Sequence, residues 1–524
     1  MFSTVTSGAI HGIHSYLMQV EVDVSNGLPS FTMVGLPGAE VREASERVKV
    51  ALKNCEICLT PSHITINLSP ADIHKEGVTI DLPVAIGILV SSGKIPQSCI
   101  ENTLIIGQLA LNGDVKGVRG VLPIVQMAVD HGIKRCILPI ENVYEGAVLS
   151  SQIDIIGVKN LIECINYLKA DDSEKNSIIS PTLIDISNLF EQNTEEDNLD
   201  FKDINGQSAL KRAMEIAAAG FHHVLMVGPP GTGKSMIAKR FPTIMPPLTK
   251  EESLEVSTIY SVAGLMKPKQ PLITKRPFKA PHHSITPSAL TGGGKIPQPG
   301  VISLAHRGVL FLDELAEFNR TTLDLLRQPL EDHEVNIARL GGTFTYPANL
   351  MLLGAMNPCP CGYYPDRGKC RCSEKEIRNY MSHISGPILD RIDICVEAPR
   401  IDYSDLAGSG TVNESSSQIR DRVLKARKIQ EERFKDSSIK FNSEMSPSDI
   451  RKFCILGSNE QSLLEQIYKT FDLSARSYHR LIKLSRTIAD LDNSEKILSH
   501  HITEAACYRM NDAIFNVNKE SLRK

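Results

Sequence analysis

The chain has 524 residues, of which 42% are hydrophobic and 23% are charged, and its formal net charge is −4. This length predicts about three folding units, and a composition near the globular average excludes a chain that is disordered throughout. No apolar run reaches the roughly 18 residues of a membrane span, and the N-terminus lacks the basic and apolar regions of a signal peptide. We therefore expect a cytoplasmic protein without a membrane partner, whose twelve cysteines are metal ligands or core residues rather than disulfides.

The first 168 residues alternate strand-like and helix-like segments, which predicts an α/β domain. Apolar side chains recur at Ile64, Ile66 and Leu68 with the period of a half-buried strand. The apolar run at residues 82–90 predicts a buried helix or strand. Residues 169–200 are acidic and poor in long apolar patterns, so we interpret them as a solvated linker.

The remaining chain predicts two further regions. Residues 201–400 alternate strands and helices around a glycine loop, which indicates a parallel sheet with crossover helices. After residue 400, apolar positions recur with a period near 3.6. They do so over residues 418–434, 460–471, 476–491 and 501–515. Residues 401–524 are therefore predicted to form an all-helical C-terminal domain.

A glycine-rich loop between a short apolar strand and a helix matches the pattern G-x-x-x-x-G-K-[ST]. Its residues are Gly228, Pro229, Pro230, Gly231, Thr232, Gly233, Lys234 and Ser235. Such a loop turns backbone N–H groups around phosphate oxygens, and the following helix presents its positive end. Lys234 is expected to reach the β- and γ-phosphates of ATP, and the Ser235 hydroxyl to bind Mg²⁺.

Two carboxylates, Asp313 and Glu314, follow an apolar strand at residues 309–312. Parallel strands bring their carboxyl ends to one edge of the sheet, where ligands of open α/β sheets bind. We expect Asp313 to hold Mg²⁺ through water and Glu314 to orient and deprotonate the attacking water. Alone, the pair could be a solvated strand end, but with the phosphate loop it predicts ATP hydrolysis.

Together these motifs resemble the AAA+ ATPases, and within them the magnesium-chelatase-like group that includes the ComM and YifB proteins. The resemblance extends over nearly the whole chain. It implies an AAA+ domain with a parallel sheet at residues 201–400 and a helical lid after it. It also implies a ring of subunits, most often six, that uses Mg²⁺ and ATP.

The resemblance assigns three further residues to roles. Asn357 falls at the sensor 1 position, Arg391 at the arginine finger, and Arg476 at sensor 2 in the helical lid. An arginine that reaches a neighbour's γ-phosphate neutralises charge in the transition state, so a working Arg391 requires an oligomer. Each arginine could instead form a structural ion pair, and Arg480, one turn after Arg476, could substitute for it.

Four cysteines lie within fourteen positions, in two C-x-C pairs separated by eight residues. They are Cys359, Cys361, Cys370 and Cys372. Four thiolates satisfy the tetrahedral coordination of structural Zn²⁺, and a turn-rich loop of this kind folds when clipped by a metal. Because C-x-C is tighter than the usual zinc-finger spacing, reduced thiols or a redox pair remain alternatives.

Residues 256–312 contain no acidic side chain. The basic residues of this stretch are Lys267, Lys269, Lys275, Arg276, Lys279, Lys295 and Arg307. The loop at residues 277–284 suits contacts with a nucleic-acid backbone, although it could be a solvated loop or could serve a neighbour's nucleotide. Residues 335–346 predict a hairpin with a Gly-Gly turn. Its position before sensor 1 resembles that of the hairpin which related motors aim into the ring pore, and this resemblance implies that Arg339 contacts DNA.

Two N-terminal segments, at residues 72–79 and 111–134, resemble the protease domain of Lon, whose fold is like domain 2 of ribosomal protein S5. That protease needs a serine nucleophile and a lysine base. Here Thr79 occupies the serine position and Leu122 the lysine position. We therefore expect the fold without proteolytic activity.

The combined expectation is a hexameric Mg²⁺-ATP motor that acts on branched or single-stranded DNA. A metal-insertion chaperone like the magnesium-chelatase motor subunit is the first alternative. A protein-remodelling ATPase that uses the N-terminal domain as an adaptor is the second. The nucleotide motifs specify ATP hydrolysis and leave the substrate of the motor open.

Overall fold

The computed structural model describes residues 2–57, 59–72, 75, 77, 79–191, 199–294, 296–339, 342–400 and 413–510. Lys295, the hairpin turn at residues 340–341 and part of the segment at residues 72–79 lie outside these ranges. The predicted linker and C-terminal domain are likewise described only in part. Within the described ranges, no helix combines the length and the apolar character needed to cross a bilayer.

A mixed seven-stranded sheet is the framework of the N-terminal region. The strands are β1 (Phe2–His11), β2 (His14–Asn26), β3 (Ser30–Val34), β4 (Ser62–Ser69), β5 (Thr103–Ile105), β6 (Gln108–Leu109), β7 (Val115–Lys116), β8 (Arg135–Pro139) and β9 (Asp154–Val158). The order in the sheet is β3-β4-β2-β1-β5-β8-β9, and β6 pairs with β7 separately. The pairs β1-β2 and β2-β4 are antiparallel, and the others in the seven-stranded sheet are parallel. Ile64, Ile66 and Leu68 of β4 face the core, as their spacing predicts.

Seven α-helices lie between and after these strands in the described part of residues 2–191. They are α1 (Ala39–Asn54), α2 (Asp81–Ser91), α3 (Val121–Asp130), α4 (Val143–Gly146), α5 (Leu161–Lys169), α6 (Asp172–Ile178) and α7 (Ile186–Glu191). Every residue of α2 is buried. This explains why the apolar run at residues 82–90 lacks a polar face: a helix that is apolar all round has to lie inside the protein.

The central region contains a five-stranded parallel sheet and two small ribbons. The strands are β10 (Val224–Val227), β11 (Phe278–Lys279), β12 (Gly292–Gly293), β13 (Gln298–Pro299), β14 (Val309–Leu312), β15 (Glu334–Arg339), β16 (Gly342–Pro347), β17 (Met351–Met356) and β18 (Ile394–Glu397). The sheet order is β11-β14-β17-β10-β18, and all of its pairs are parallel. The strands β10, β14 and β17 are wholly buried, as expected for a parallel sheet covered on both faces.

Helices surround this sheet. They are α8 (Ser208–Gly220), α9 (Lys234–Arg240), α10 (Lys250–Ala263), α11 (Pro287–Thr291), α12 (Val301–Leu304), α13 (Arg320–Asp324), α14 (Pro329–Asp332), α15 (Glu374–Met381) and α16 (Gly386–Leu389). The helix α10 starts at a capping box in which Thr249 and Glu252 satisfy each other's backbone N–H groups. The mixed α/β architecture with parallel strands is that expected of an AAA+ fold of the magnesium-chelatase type.

The described C-terminal region is helical, and four of its five α-helices lie where the 3.6-residue period predicts helices; the helix Pro447–Phe453 was not predicted, and residues 511–515 lie outside the described ranges. Its helices are α17 (Ser416–Arg433), α18 (Pro447–Phe453), α19 (Ser458–Thr470), α20 (Ala475–Leu491) and α21 (Ser499–Met510). Ile419 and Val423 of α17 and Ile488 of α20 share one apolar core with the sheet strand β10 and the helix α8. The helices after residue 413 are therefore packed onto the central sheet rather than built around a core of their own.

The N-terminal region docks on α10 through a buried carboxylate. The Leu122 N–H donates to Oε1 of Glu145 at 3.0 Å, and the Ser261 hydroxyl donates to the same oxygen. In addition, the Gly120 N–H donates to the Ser261 carbonyl at 3.0 Å. Burial raises the pKa of Glu145, while these donors and the Asn142 amide favour its charged form. The contact crosses from α3 and α4 to α10.

Part of the predicted linker is folded against this junction. Ile186 and Phe190 of α7 pack on a small apolar cluster formed by Leu122, Val148 and Leu272. Apolar side chains spaced four positions apart lie on one helical face, and the strongly acidic composition of the segment obscures that pair. The segment before residue 192 is thus docked rather than wholly solvated.

We expect Glu145→Ala to lower the free energy of unfolding by about 2 kcal/mol or more, because it leaves the Leu122 N–H and the Ser261 hydroxyl buried without an acceptor. The matched control is Glu141→Ala, four positions earlier, whose exposed side chain accepts from the Gly117 N–H at 3.1 Å. Urea denaturation measures both, and hydrogen exchange in α3 and α10 localises the effect. Equal losses in the two variants would contradict a special role for the buried carboxylate.

Candidate functional site

The glycine loop at residues 228–233 connects β10 to α9. Gly231 and Gly233 have φ values of 80° and 84°, in the left-handed region that glycine adopts at little cost. This conformation turns successive backbone N–H groups toward one side of the loop, where they can hold an anion. The local structure is therefore a glycine turn between a strand and a helix, as the motif predicts, with a geometry suited to an anion.

Lys234 lies across this loop and touches a second strand end. Its Nζ donates to the carbonyl oxygens of Gly228 at 2.6 Å and Pro229 at 2.8 Å, and to Oδ1 of Asn357 at 3.3 Å. Burial lowers the pKa of Lys234, and the nearby Asp313 carboxylate opposes that shift. Asn357 reaches the ammonium because β17 runs parallel to β10, with Met356 opposite Val227.

Ser235 and Asp313 meet at the same edge of the sheet. The Ser235 hydroxyl donates to Oδ2 of Asp313 at 2.6 Å. The adjacent Glu314 has a φ of 51°, and its N–H donates to Oδ1 of Asp313 at 3.0 Å. A hydroxyl and a carboxylate are oxygen ligands that Mg²⁺ accepts, and this pair fits that ion.

Glu314 projects away from Asp313 toward the loop that follows β11. Its side chain is 61% exposed, and Oε2 lies 3.7 Å from Nδ1 of His283. The His283 ring also lies 4.0 Å from the His282 ring, centroid to centroid. From its sequence, the loop at residues 277–284 could serve a neighbour's nucleotide. In the structure, His283 of this loop lies beside a carboxylate of its own chain.

Arg391 lies at the amino ends of the parallel strands, whereas the phosphate loop lies at their carboxyl ends. It comes before β18, whose first residue Ile394 pairs with Val224, while the phosphate loop follows Val227. Four strand residues span about 13 Å, so the arginine and the loop are separated by the length of the strand. This chain's Arg391 therefore does not reach this chain's phosphate loop.

Arg476 lies beside Arg391, because both arginines contact Glu331. Arg391 Nη2 pairs with Oε2 of Glu331, and Arg476 Nη2 donates to Oε1 of the same carboxylate at 3.1 Å. Arg476, at the start of α20, is 61% exposed, whereas Arg391 is largely covered. Arg480 Nε lies 3.6 Å from the buried Asp393 carboxylate, so it is engaged elsewhere.

Glu331 was not identified from the sequence. It lies in the short helix α14, 60 positions before Arg391 and 145 before Arg476. No local motif marks it, since the acidic pair Glu331-Asp332 has the pattern of a solvated helix face. The structure groups Lys234, Ser235, Asp313 and Asn357 at one sheet edge, with Arg391 and Arg476 at the other.

The four predicted cysteine ligands converge on one point. The Sγ atom of Cys359 lies 3.4 Å from that of Cys361 and 3.8 Å from that of Cys370, and Cys361 Sγ lies 3.6 Å from Cys370 Sγ. All four Sγ atoms, including that of Cys372, lie within 4.8 Å of one another. Zn–S bonds of about 2.3 Å place sulfur atoms about 3.8 Å apart in a tetrahedron, so these thiols fit zinc.

The acid-free stretch at residues 256–312 is less available to DNA than its composition suggests. Arg276 is buried and its Nη2 donates to Glu252 at 2.9 Å, and Arg307 Nε donates to Glu255 at 2.8 Å. Lys279 Nζ lies 4.9 Å from the centre of the Tyr260 ring. The two acids come just before the stretch, so counting charges along the chain misses the ion pairs. Lys267, Lys269 and Lys275 are exposed.

The predicted hairpin is formed by β15 and β16. Its register runs from Glu334 opposite Pro347 to Arg339 opposite Gly342. Arg339 is exposed near the tip, and the ring of Phe344 lies 4.6 Å from the ring of His11 in the N-terminal sheet. The hairpin is thus in contact with the N-terminal region on one side.

Three protein-family models match the chain. The model described as magnesium chelatase, subunit ChlI, matches residues 200–406. The model described as subunit ChlI of Mg-chelatase matches residues 20–142, and that of the ChlI C-terminal region matches residues 413–509. The matches include the glycine loop, the paired carboxylates and both arginines.

Curated proteins are similar over nearly the full length. Competence protein ComM from Haemophilus influenzae is 40% identical over 511 residues, which are 96% of this chain and 97% of that protein. The uncharacterized protein YifB from Salmonella typhimurium is 38% identical over 510 residues, 97% of each chain. The magnesium-chelatase 67 kDa subunit of Heliobacterium mobile is 26% identical over 257 residues, 43% of this chain and 37% of that subunit.

We expect Asn357→Ala to lower the rate of ATP hydrolysis by about 10- to 100-fold with a smaller change in ATP affinity, because it removes a polar contact of Lys234 at the reacting end of the nucleotide. The control is Asn349→Ala, at the opposite end of the same strand, where the amide donates to Glu444 at 2.7 Å. Steady-state hydrolysis and equilibrium nucleotide binding distinguish the two. A wild-type rate in Asn357→Ala would refute a part for this side chain in hydrolysis.

Proposed function

The chain belongs to the magnesium-chelatase-like family of ComM and YifB, and we propose that it is a cytoplasmic, Mg²⁺-dependent ATPase motor that works as a ring on DNA. The observation that carries the proposal is the grouping of Lys234, Ser235, Asp313 and Asn357 at the carboxyl edge of one parallel sheet. This is the edge at which open α/β sheets bind nucleotides.

Each group at this edge has a distinct task. The loop N–H groups and Lys234 hold the β- and γ-phosphates. Ser235 and Asp313 would hold Mg²⁺, which neutralises phosphate charge when bound. Glu314 orients the attacking water and takes its proton, and Asn357 fixes the position of the reacting end. His283, 3.7 Å from Glu314, influences where that carboxylate points.

The position of Arg391 and Arg476 supports the proposed ring. Both lie at the edge that is remote from their own phosphate loop, and both are held by Glu331. In a head-to-tail ring, that edge can face the phosphate loop of the next subunit. The two arginines then act as arginine finger and sensor 2 on the neighbour's nucleotide, and we propose six subunits on the family resemblance.

DNA is proposed as the polymer that the motor acts on. The relative named competence protein ComM supports a role linked to natural transformation, and the family resemblance supports branched or single-stranded DNA. Contacts with the DNA backbone that do not depend on base sequence are supplied by the exposed Lys267, Lys269 and Lys275 and by Arg339 on the hairpin.

The N-terminal region is proposed to be a Lon-protease-like domain that no longer cleaves peptides. Thr79, at the position of the nucleophile, is buried, and its hydroxyl lies 3.5 Å from the carbonyl of Gly8. Leu122, at the position of the base, packs at the junction with the central region. Without a lysine there, the hydroxyl has no base, so the domain serves docking or assembly.

We also propose that the four thiols hold Zn²⁺ in a structural site. Four sulfur ligands leave no open coordination position, which is typical of structural rather than catalytic zinc. The Tyr364 N–H donates to Cys359 Sγ at 3.4 Å, a contact that supports the charged thiolate form.

A chelatase-like metal-insertion chaperone is the second candidate, because the matching family models are named for the chelatase subunit ChlI. The chelatase 67 kDa subunit, however, aligns with 43% of this chain, whereas ComM aligns with 96%. A protein-remodelling ATPase shares the same nucleotide site. These candidates differ from the first in the polymer or protein that stimulates hydrolysis.

Forked DNA is expected to stimulate ATP hydrolysis by the purified protein severalfold, since the motor couples hydrolysis to the polymer. Lys234→Ala is the negative control, because it removes the ammonium group that holds the phosphates. A phosphate-release assay with and without DNA measures the effect. Strong hydrolysis that is indifferent to DNA would favour the chelatase-like or protein-remodelling role, and absence of hydrolysis would refute the ATPase.

Mixing two inactive variants, Lys234→Ala and Arg391→Ala, should restore part of the activity. In randomly mixed rings about a quarter of the sites combine an intact phosphate loop with an intact neighbouring arginine. Arg420→Ala, an exposed arginine of α17, is the control for loss of positive charge and should remain active alone. No recovery on mixing would contradict the placement of Arg391 at a neighbour's nucleotide.

A further inference from the structure

The four-cysteine loop, residues 359–372, lies directly on the phosphate loop. Gly362 has a φ of 82°, and a Cβ atom at this position would lie 2.6 Å from Cδ of Pro230 and 3.8 Å from Cγ of Asn357. Real side-chain atoms do not approach backbone-fixed ring atoms this closely. The backbone at Gly362 is therefore pressed against the second proline of the phosphate loop.

The turn that carries Gly362 starts at a thiol of the cluster. The Gly362 N–H donates to the Cys359 carbonyl at 2.9 Å, and Cys359 is fully buried. Only Pro358 separates Cys359 from Asn357, the residue that contacts Lys234. A displacement of Cys359 would thus be transmitted to both Gly362 and Asn357.

The loop also lines a cleft together with the start of the phosphate loop. The cleft has a volume of about 610 Å³, and Gly228, Pro229, Tyr363 and Tyr364 are among the residues that line it. The guanidinium of Arg400, which follows β18, lies 4.9 Å from the centre of the Tyr363 ring. The loop is therefore held between the nucleotide-binding turn and the end of a sheet strand.

The described residues of this loop contain neither a strand nor a helix before α15. Tyr363, Tyr364 and the cysteines pack against the neighbouring apolar core, but a segment without regular secondary structure depends on a metal for part of its order. Four neighbouring thiols without a metal supply only weak hydrogen bonds. Loss of the ion would therefore release the turn that contacts Pro230.

We propose that a metal ion bound by Cys359, Cys361, Cys370 and Cys372 controls the nucleotide site, because it holds Gly362 against Pro230 and Asn357 beside Lys234. Metal occupancy then sets the affinity for nucleotide and the rate of hydrolysis. The inference rests on the proposed ATPase function and on the proposed zinc site, and it adds that the two sites are coupled.

The test uses the full-length protein and three variants. Cys370→Ser removes one ligand, Gly362→Ala leaves the four thiols in place but adds a Cβ toward Pro230, and Cys507→Ser replaces an exposed cysteine outside the loop. Plasma mass spectrometry measures zinc per chain. Titration of a fluorescent ATP analogue in constant Mg²⁺ measures nucleotide affinity, and thermal melting verifies that each variant is folded.

We expect Cys370→Ser to lose zinc and to bind the analogue about tenfold or more weakly, because it disorders the turn. Gly362→Ala should keep one zinc per chain and also bind about tenfold more weakly, because the added atom displaces the phosphate loop. Cys507→Ser should change neither quantity. Removing the metal from the parent protein should lower the affinity, and adding zinc chloride should restore it.

The failures are distinguishable. A parent protein without bound zinc overturns the metal site, and a zinc-free Cys370→Ser that binds the analogue like the parent overturns the coupling. Unchanged affinity in Gly362→Ala overturns the contact with Pro230 as the route. A parent protein that carries zinc but does not bind the analogue overturns the proposed ATPase function instead.

Discussion

The parallel direction of β10, β14, β17 and β18 decides which side chains of this protein can meet. Because the carboxyl ends of parallel strands lie at one edge of a sheet, Lys234 and Asn357 are in contact although 123 positions separate them. The same rule sends Arg391, which precedes β18, to the other edge. A catalytic site that needs both kinds of group consequently needs two subunits.

The grouping of Lys234, Ser235, Asp313 and Asn357 could be predicted from sequence, because each of its parts combines a local pattern with a strand end. The glycine loop carries its own signature, and Asp313 follows a strand that is apolar at every position. Once the strands are known to be parallel, their ends must converge, and Ser235 meets Asp313 at 2.6 Å. The four thiols could be predicted to meet for a similar reason, because they lie close together in the sequence. In the structure, the two C-x-C pairs form one cluster.

Long-range partners could not be predicted in this way. Glu331 contacts two arginines from distant parts of the chain, and no sequence pattern near Glu331 predicts these contacts. The acid-free stretch was misleading for the same reason, since the carboxylates that neutralise Arg276 and Arg307 lie just outside it. The docking of α7 depends on an apolar cluster contributed by three separate segments. Such pairs depend on the completed fold rather than on periodicity.

Two of the contacts that join the N-terminal region to the rest of the chain are those of Glu145 with α10 and of His11 with Phe344 of the hairpin. In the motor proposed above, force on the hairpin would therefore pass into the seven-stranded sheet. A load on that sheet would in turn act on the hairpin without contact with the phosphate loop.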